Sequence, residues 1–325
     1  MVAIVGCNTS RGENTVELTL AGFAVTKSAY RQIIPQFEAR WKKEHKQRVV
    51  VNQSFGGSGS QTRAVVDGLE ADVVHLALGL DISKIEGAGL IKPNWEKRFP
   101  NRSTLTKSVI AIVTRPDNPK NIQGWKDLAR PGIKILTADP KTSGVARWNF
   151  LALWNAALKA GLSPDQAEVY VKNVYNNVPI LSRDAREASD TFFRQGEGDV
   201  LLNYENEVRL AAEKGEHLPA RIADPNIVIE APVAIVDRNV DRHGNRAVVE
   251  AFVAYLFSPE AQTEFVKAGF RPSDPKLIGD RDLLRSFPEI KQLTTVDELG
   301  GWKALQKKFF SDGGLFDRIQ QEKGK

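Results

Sequence analysis

Residues 48 to 78 read "RVVVNQSFGGSGSQTRAVVDGLEADVVHLAL", and the order of the parts within this stretch decides the fold. "RVVVNQSF" is rich in β-branched residues and reads as a strand. The glycine loop follows, a helix is predicted over about Gln61 to Leu69, and "ADVVHLAL" reads as a second strand. Two strands separated by a helix make a parallel βαβ unit. The glycines let backbone N–H groups approach a ligand closely, and a helix start leaves its first amides without acceptors in the helix. Such a place suits an anion. Taken alone, the loop fits an ordinary turn with a capping serine at least as well. It is not a P-loop, because no Gly-Lys-Ser/Thr follows and Gln61 stands where a lysine would be expected.

The same alternation extends in both directions. "VELTLAGFAV" (16–25) reads as a strand entering a loop, and "SAYRQIIPQFEARWKKEHK" (28–46) as an amphipathic helix with Tyr30, Ile33, Phe37 and Trp41 on one face. Two stretches interrupt the rhythm: "KSVIAIVTRPDNP" (107–119) and "PNIVIEAPVAIVDR" (225–238) are long, β-branched and bounded by proline. Each reads as a long strand, with a self-contained α/β segment between them. That pattern predicts one lobe inserted into another: residues 16–108 and 233–325 (with the C-terminal helices) in lobe 1, and 109–232 in lobe 2. The predicted class is α/β, two lobes each built on a mixed, mostly parallel sheet flanked by helices. Two chain crossings make a hinge, and a hinge makes a cleft.

Further strand-to-helix turns repeat the logic of the first. In "KILTADPKTSGVARWNFLALWNAAL" (134–158) a strand leads through a loop to Ser143 as the expected N-cap and a helix from Gly144. "VPILSRDAREASDTFFRQGEGDV" (178–200) starts a helix near Ala185, and "DVLLNYENEVRLAAEKG" (199–215) leaves a strand at Tyr204 and starts one at Glu205. With "LAGFAVTKSAY" (20–30), up to five such turns could aim amides at one point between the lobes. Ligands of open α/β sheets bind outside the carboxyl ends of the strands, where these turns gather.

Composition bounds the alternatives. A chain of 325 residues, 42% of them hydrophobic, is long enough for roughly two domains. Lys plus Arg number 45 against 40 for Asp plus Glu, and the signs alternate ("EARWKKEHKQR"), so a nucleic-acid partner is not expected. The four histidines sit in no catalytic motif, which argues against an enzyme acting on sulfate or phosphate esters. No metal or organic cofactor is implied. The single cysteine, Cys7, cannot form an intrachain disulfide. It follows "IVG" in "MVAIVGCNTSRGEN", which resembles the end of a bacterial lipoprotein signal with Cys7 as the lipidated residue. The charged and most of the apolar regions of such a signal are missing, so either the start is truncated or the likeness is accidental. Residues 1–15 are read as this segment and a flexible linker.

"QSFGGSGSQTRAVVDGLEADVVHLAL", "PKTSGVARWNFLALW", "GDVLLNYENE" and "GGWKALQKKFFSDGGLFDRI" resemble the sulfate-binding proteins of bacterial ABC transporters, from about Val16 to near Ile319. The resemblance implies a two-lobed type II periplasmic receptor, a monomer that closes over sulfate and delivers it to membrane permease subunits. It implies neutral donors around the anion: Ser58, Ser143 with the amides of Gly144 and Val145, and the amide of Ala185. Tyr204 falls where the family usually has a tryptophan that donates its indole N–H, and Ala24 where an aspartate acts through its amide. Thiosulfate, molybdate, tungstate and phosphate are the rival ligands. Arg147 and Arg186 flank the loops, either bracing them or simply solvated. Trp148 and His75 read as core, and Glu205 and Glu207 as structural.

Overall fold

The computed structural model describes residues 15–323. Cys7 therefore lies outside the described residues, as does all of the expected N-terminal segment except Thr15, which already belongs to a strand.

Strand β1 (Thr15–Phe23) leads through a tight turn at Ala24–Thr26 into α1 (Lys27–His45). Tyr30, Ile33, Phe37 and Trp41 recur at helical spacing and are all buried. β2 (Arg48–Gly56) passes through Gly57 to α2 (Ser58–Val66). This helix begins three residues before the predicted start, because Ser58 and Gly59 are taken into its first turn. β3 (Val73–His75) and α3 (Gly79–Gly87) complete the unit.

The predicted long strand at 107–119 is divided. β4 (Thr104–Ser108) and β5 (Ile110–Thr114) belong to different sheets, with Val109 between them. Next come β6 (Ile135–Ala138), α4 (Gly144–Lys159), α5 (Pro164–Asn176), β7 (Leu181–Ser182) and α6 (Ala185–Phe193). β8 (Val200–Tyr204), α7 (Glu205–Glu213) and β9 (Ala220–Arg221) follow. The chain returns through β10 (Asn226–Ile227), Val228 and β11 (Ile229–Ile235). It continues as α8 (Asp237–His243), α9 (Arg246–Leu256), α10 (Pro259–Lys267), β12 (Arg271–Pro272) and α11 (Arg281–Arg285). β13 (Leu293–Thr294), α12 (Gly301–Leu305) and α13 (Leu315–Lys323) end it.

The first sheet has the order β12-β4-β11-β3-β1-β2 and the second β7-β6-β8-β5-β9, while β10 and β13 form a separate pair. Both sheets are mixed. Strands joined by helices are parallel (β1 with β2 and β3, β6 with β7 and β8), and the strands next to the crossings, β5 on entry to the second sheet and β11 on return to the first, pair antiparallel with their neighbours. The chain passes between the sheets at Val109 and again between β9 and β11, over residues 222–228.

A third passage comes late. Trp302 meets Trp148 edge-on at 4.8 Å, Phe309 packs on Phe150 and Trp154, and Arg318 pairs with Glu168 at 3.0 Å. These contacts hold the C-terminal helices on α4 and α5, beside the second sheet, whereas the sequence groups 233–325 with the first. The cover explains why residues 144–157 of α4 are all buried: its large apolar side chains need cover on every side, and the polar Arg147, Asn149 and Asn155 among them all find hydrogen-bond partners. Among the described residues no helix is long and apolar enough to cross a membrane.

Candidate functional site

Three helices begin at one small cavity. α2 starts at Ser58, α4 at Gly144 and α6 at Ala185, and these residues line the space together with Ala24, Ser143 and Tyr204. The first amides of a helix have no acceptor within it, so the N–H groups of Ser58, Gly144 and Ala185 are available to a ligand. Val145, buried one residue further along α4, does not line the cavity, and only its backbone could contribute. Each helix start carries roughly half a positive charge. Among the described residues no lysine or arginine side chain lines the space. The lining carboxylate of Asp184 turns back on its own helix and accepts from the N–H groups of Arg186 (2.9 Å) and Glu187 (3.0 Å).

The glycines answer to space. A Cβ at Gly57 would stand 2.5 Å from the Thr142 carbonyl oxygen, and one at Gly144 would stand 2.5 Å from the Cβ of Ala77. Backbone conformation does not require glycine at 57, where φ is −58°. At the first point the loop before α2 meets the loop before α4, and at the second the start of α4 meets the segment between β3 and α3. At the first, the Ser60 amide donates to the Thr142 carbonyl at 3.3 Å, and Arg63 donates to the Lys141 carbonyl at 2.9 Å.

The two serines differ. The Ser58 hydroxyl donates to Asp81 Oδ2 at 2.7 Å and accepts from the Ala77 N–H at 3.0 Å. Its single proton is committed, so what Ser58 can offer a ligand is its backbone amide, not the side chain. Ser143 occupies the N-cap position of α4, as the sequence predicts, but its hydroxyl makes no capping bond and lies at the cavity wall.

Tyr204 is the most exacting group of the set. It ends β8, opposite Ile110 of β5, and its phenol oxygen is buried without a hydrogen-bond partner among the described residues. A buried hydroxyl left unpaired costs roughly 1 to 3 kcal/mol. Burial raises its pKa well above the usual tyrosine value, and the carboxylates of Asp81 and Glu207 push the same way, so it keeps its proton at neutral pH. The position above the Gly144 Cα where a Cβ would stand is 3.5 Å from this oxygen and 3.3 Å from the Ser58 Cβ.

Both flanking arginines are engaged. Arg147 is buried and donates through Nη1 to Asp81 Oδ1 at 2.9 Å and through Nε to the Pro140 carbonyl at 2.9 Å. Arg186 is half-buried and pairs with Glu207 at 2.8 Å, and Ser189 donates to the same carboxylate at 2.8 Å. Glu205 pairs instead with Arg271. Trp148 is core, its indole N–H donating to the Ala77 carbonyl at 2.9 Å. His75 is buried between the rings of Phe23, Tyr30 and Phe265 and shares a 2.9 Å hydrogen bond with the Tyr30 hydroxyl. Asp81 is the residue that sequence reasoning missed. Its signal was an acid in the apolar run "LALGLDISKI", which must find partners if buried.

A larger cavity of about 510 Å3 lies between Trp95, Trp148 and Trp302. Glu96, Glu230 and Asp297 line it against Arg102 and Lys303, a balance that disfavours an anion. Among the described residues no cluster of side chains could hold a metal ion.

The model of the bacterial extracellular solute-binding proteins matches residues 18–271. The chain is 56% identical over 306 residues to the sulfate-binding protein of Synechococcus elongatus, covering 94% of this chain and 87% of that one. It is 34% identical to the thiosulfate-binding protein of Escherichia coli, with 93% and 90% covered. Its fold superposes with a TM-score of 0.82 on the sulfate-binding protein SubI from Mycobacterium tuberculosis, at 33% identity and 91% and 100% coverage. With two mixed sheets crossed by the chain, three helix starts facing a cation-free cavity and these matches over nearly its whole length, the chain belongs to the bacterial extracellular solute-binding proteins.

Proposed function

We propose that this chain is the extracytoplasmic receptor of an ABC importer for sulfate, which it holds between its lobes and hands to membrane permease subunits. The observation that carries this reading is the buried, unpartnered hydroxyl of Tyr204 beside three helix starts. Every group that faces the cavity with an uncommitted proton is a neutral donor. At neutral pH sulfate is a dianion without protons and can only accept. Phosphate near pH 7 keeps at least one proton, which only a hydroxyl oxygen of Ser143 or Tyr204 could accept, and which otherwise remains unpaired at a cost of roughly 1 to 3 kcal/mol. In this reading Ala24, Ser58, Gly144, Val145 and Ala185 contribute backbone amides, and Ser143 and Tyr204 contribute hydroxyls. Dipoles then hold the charge, and no counter-ion has to be broken for release.

Residues 16–108 and 233–288 form one lobe in this reading, and 109–232 with the C-terminal helices form the other. Val109 and residues 222–228 are the pivots. Thiosulfate is the second reading, favoured by the 34% identity to a thiosulfate-binding protein. Calorimetric titration of the anion-stripped protein with sulfate, thiosulfate, molybdate and phosphate, at pH 7 and pH 5, tests both. Tight sulfate binding that changes little with pH, with phosphate excluded, is expected. Phosphate bound as tightly as sulfate would overturn the donor-only site.

A further inference from the structure

The residue after Tyr204 is tied to the opposite sheet, and its partner does not touch the cavity. Glu205, the first residue of α7, accepts from Arg271 Nε at 2.6 Å and from Nη2 at 3.1 Å. The Glu205 side chain is 4% exposed and that of Arg271 19%. Arg271 lies on β12, at the edge of the first sheet and in register with Lys107 of β4. Its Nη2 also donates to the Pro288 carbonyl at 2.9 Å. The backbone N–H of Glu205 donates to the Val109 carbonyl, at the first crossing, at 3.0 Å. The start of α7 is therefore held at both ends: by the crossing point of the chain and by a two-pronged guanidinium clamp from the first sheet.

Packing reinforces the clamp. Phe270, beside Arg271, meets Phe23 at 6.3 Å, and Phe23 meets the Tyr204 ring at 6.1 Å. Gly269 has φ +87°, and a Cβ there would lie 2.9 Å from the Cα of Asn206, an approach only glycine permits.

From this geometry we infer that Arg271 is a positioning residue for ligand binding: through Glu205 it fixes where the Tyr204 hydroxyl stands. The inference rests on the proposed site for its ligand but not for its geometry. Because the clamp is built next to a crossing point, it can persist while the lobes move, keeping Tyr204 registered to the first sheet. Replacing Arg271 with lysine keeps the charge and loses the fork.

The test has two readouts. Sulfate affinity is measured by calorimetry for Arg271→Ala, Arg271→Lys and Glu205→Gln, each with Tyr204 intact and in a Tyr204→Phe background. Each variant is expected to weaken binding about tenfold when Tyr204 is present and less than twofold when it is phenylalanine, because the pair acts through that hydroxyl. The tyrosine-ring NMR signal that disappears in Tyr204→Phe is expected to shift in Arg271→Lys even without ligand. Equal losses in both backgrounds, or an unmoved ring signal with unchanged affinity, would overturn the inference. A shifted ring signal in a protein that binds no sulfate would uphold the positioning role and reject the proposed ligand. If Arg271→Ala does not fold, the Arg271→Lys comparison decides.

Discussion

Arg147 of α4 and Asp81 of α3 form a buried ion pair at 2.9 Å that joins helices packed on different sheets, and Ser58 completes it by donating to the same carboxylate. The pair sits directly behind the cavity. Removing Arg147 leaves the Asp81 carboxylate, wherever the cleft stays closed, with only the Ser58 hydroxyl and the half-exposed Lys84 ammonium at 3.6 Å. Arg147→Met is expected to cost about 3 kcal/mol of closure, and adding Asp81→Asn should recover part of it. Sulfate titration combined with small-angle scattering checks this: the single variant should contract less on ligand addition than either the wild type or the double variant.

Tyr204→Phe should act in opposite directions on stability and on binding. It removes a buried hydroxyl that has no protein partner among the described residues, so thermal stability without ligand should hold or rise. It also removes a donor to a charged ligand, so sulfate affinity should fall by about 1.5 to 3 kcal/mol. Ser143→Ala should show the same loss of affinity. Ser58→Ala should instead lower stability, because it strips a donor from Asp81 and orphans the Ala77 amide. Calorimetry with and without sulfate separates the two serines.

Gly144→Ala tests the closed contact. A Cβ there would overlap Ala77 at 2.5 Å while leaving a helical backbone undisturbed. Overpacking of this kind costs about 2 kcal/mol, and it can be relieved by opening the cleft. Weaker sulfate binding with an unliganded melting temperature close to wild type is the expected result. A fall in both would place the clash in the open form too.

His75 should impose a pH dependence on stability. Burial pushes its pKa down to about 3, against the ordinary value near 6.5 that it regains on unfolding. Above pH 6.5 both states are neutral and nothing is lost. Between pH 6.5 and 3 the unfolded chain binds a proton that the folded one refuses, so stability falls with pH. Between pH 6.5 and 4.5 the loss should be about 2.5 kcal/mol. Denaturant unfolding at both values, compared with His75→Gln, isolates this contribution.

Local pattern alone determined the elements of this protein. The helical spacing of Tyr30, Ile33, Phe37 and Trp41 marked α1, and strand, glycine loop and helix in residues 48–78 marked the βαβ unit. These signals are legible because side-chain periodicity and turn chemistry act between near neighbours. The helix starts at Gly144 and Ala185 were legible for the same reason, the start of α2 was expected near Gln61 and lies three residues earlier at Ser58, and the long motifs pointed to the family.

Tertiary structure alone decided which donors remain uncommitted. Ser58 and Ser143 look alike in sequence, yet one gives its proton to Asp81, 23 residues away, and the other does not cap its own helix. Arg147 finds Asp81 across 66 residues, and Arg271 finds Glu205 across another 66. The C-terminal helices cross back to cover α4, and no local periodicity marks which sheet they will meet. A hydrogen bond or ion pair depends on the few ångströms between groups that folding brings together, and neighbouring residues carry no record of that distance.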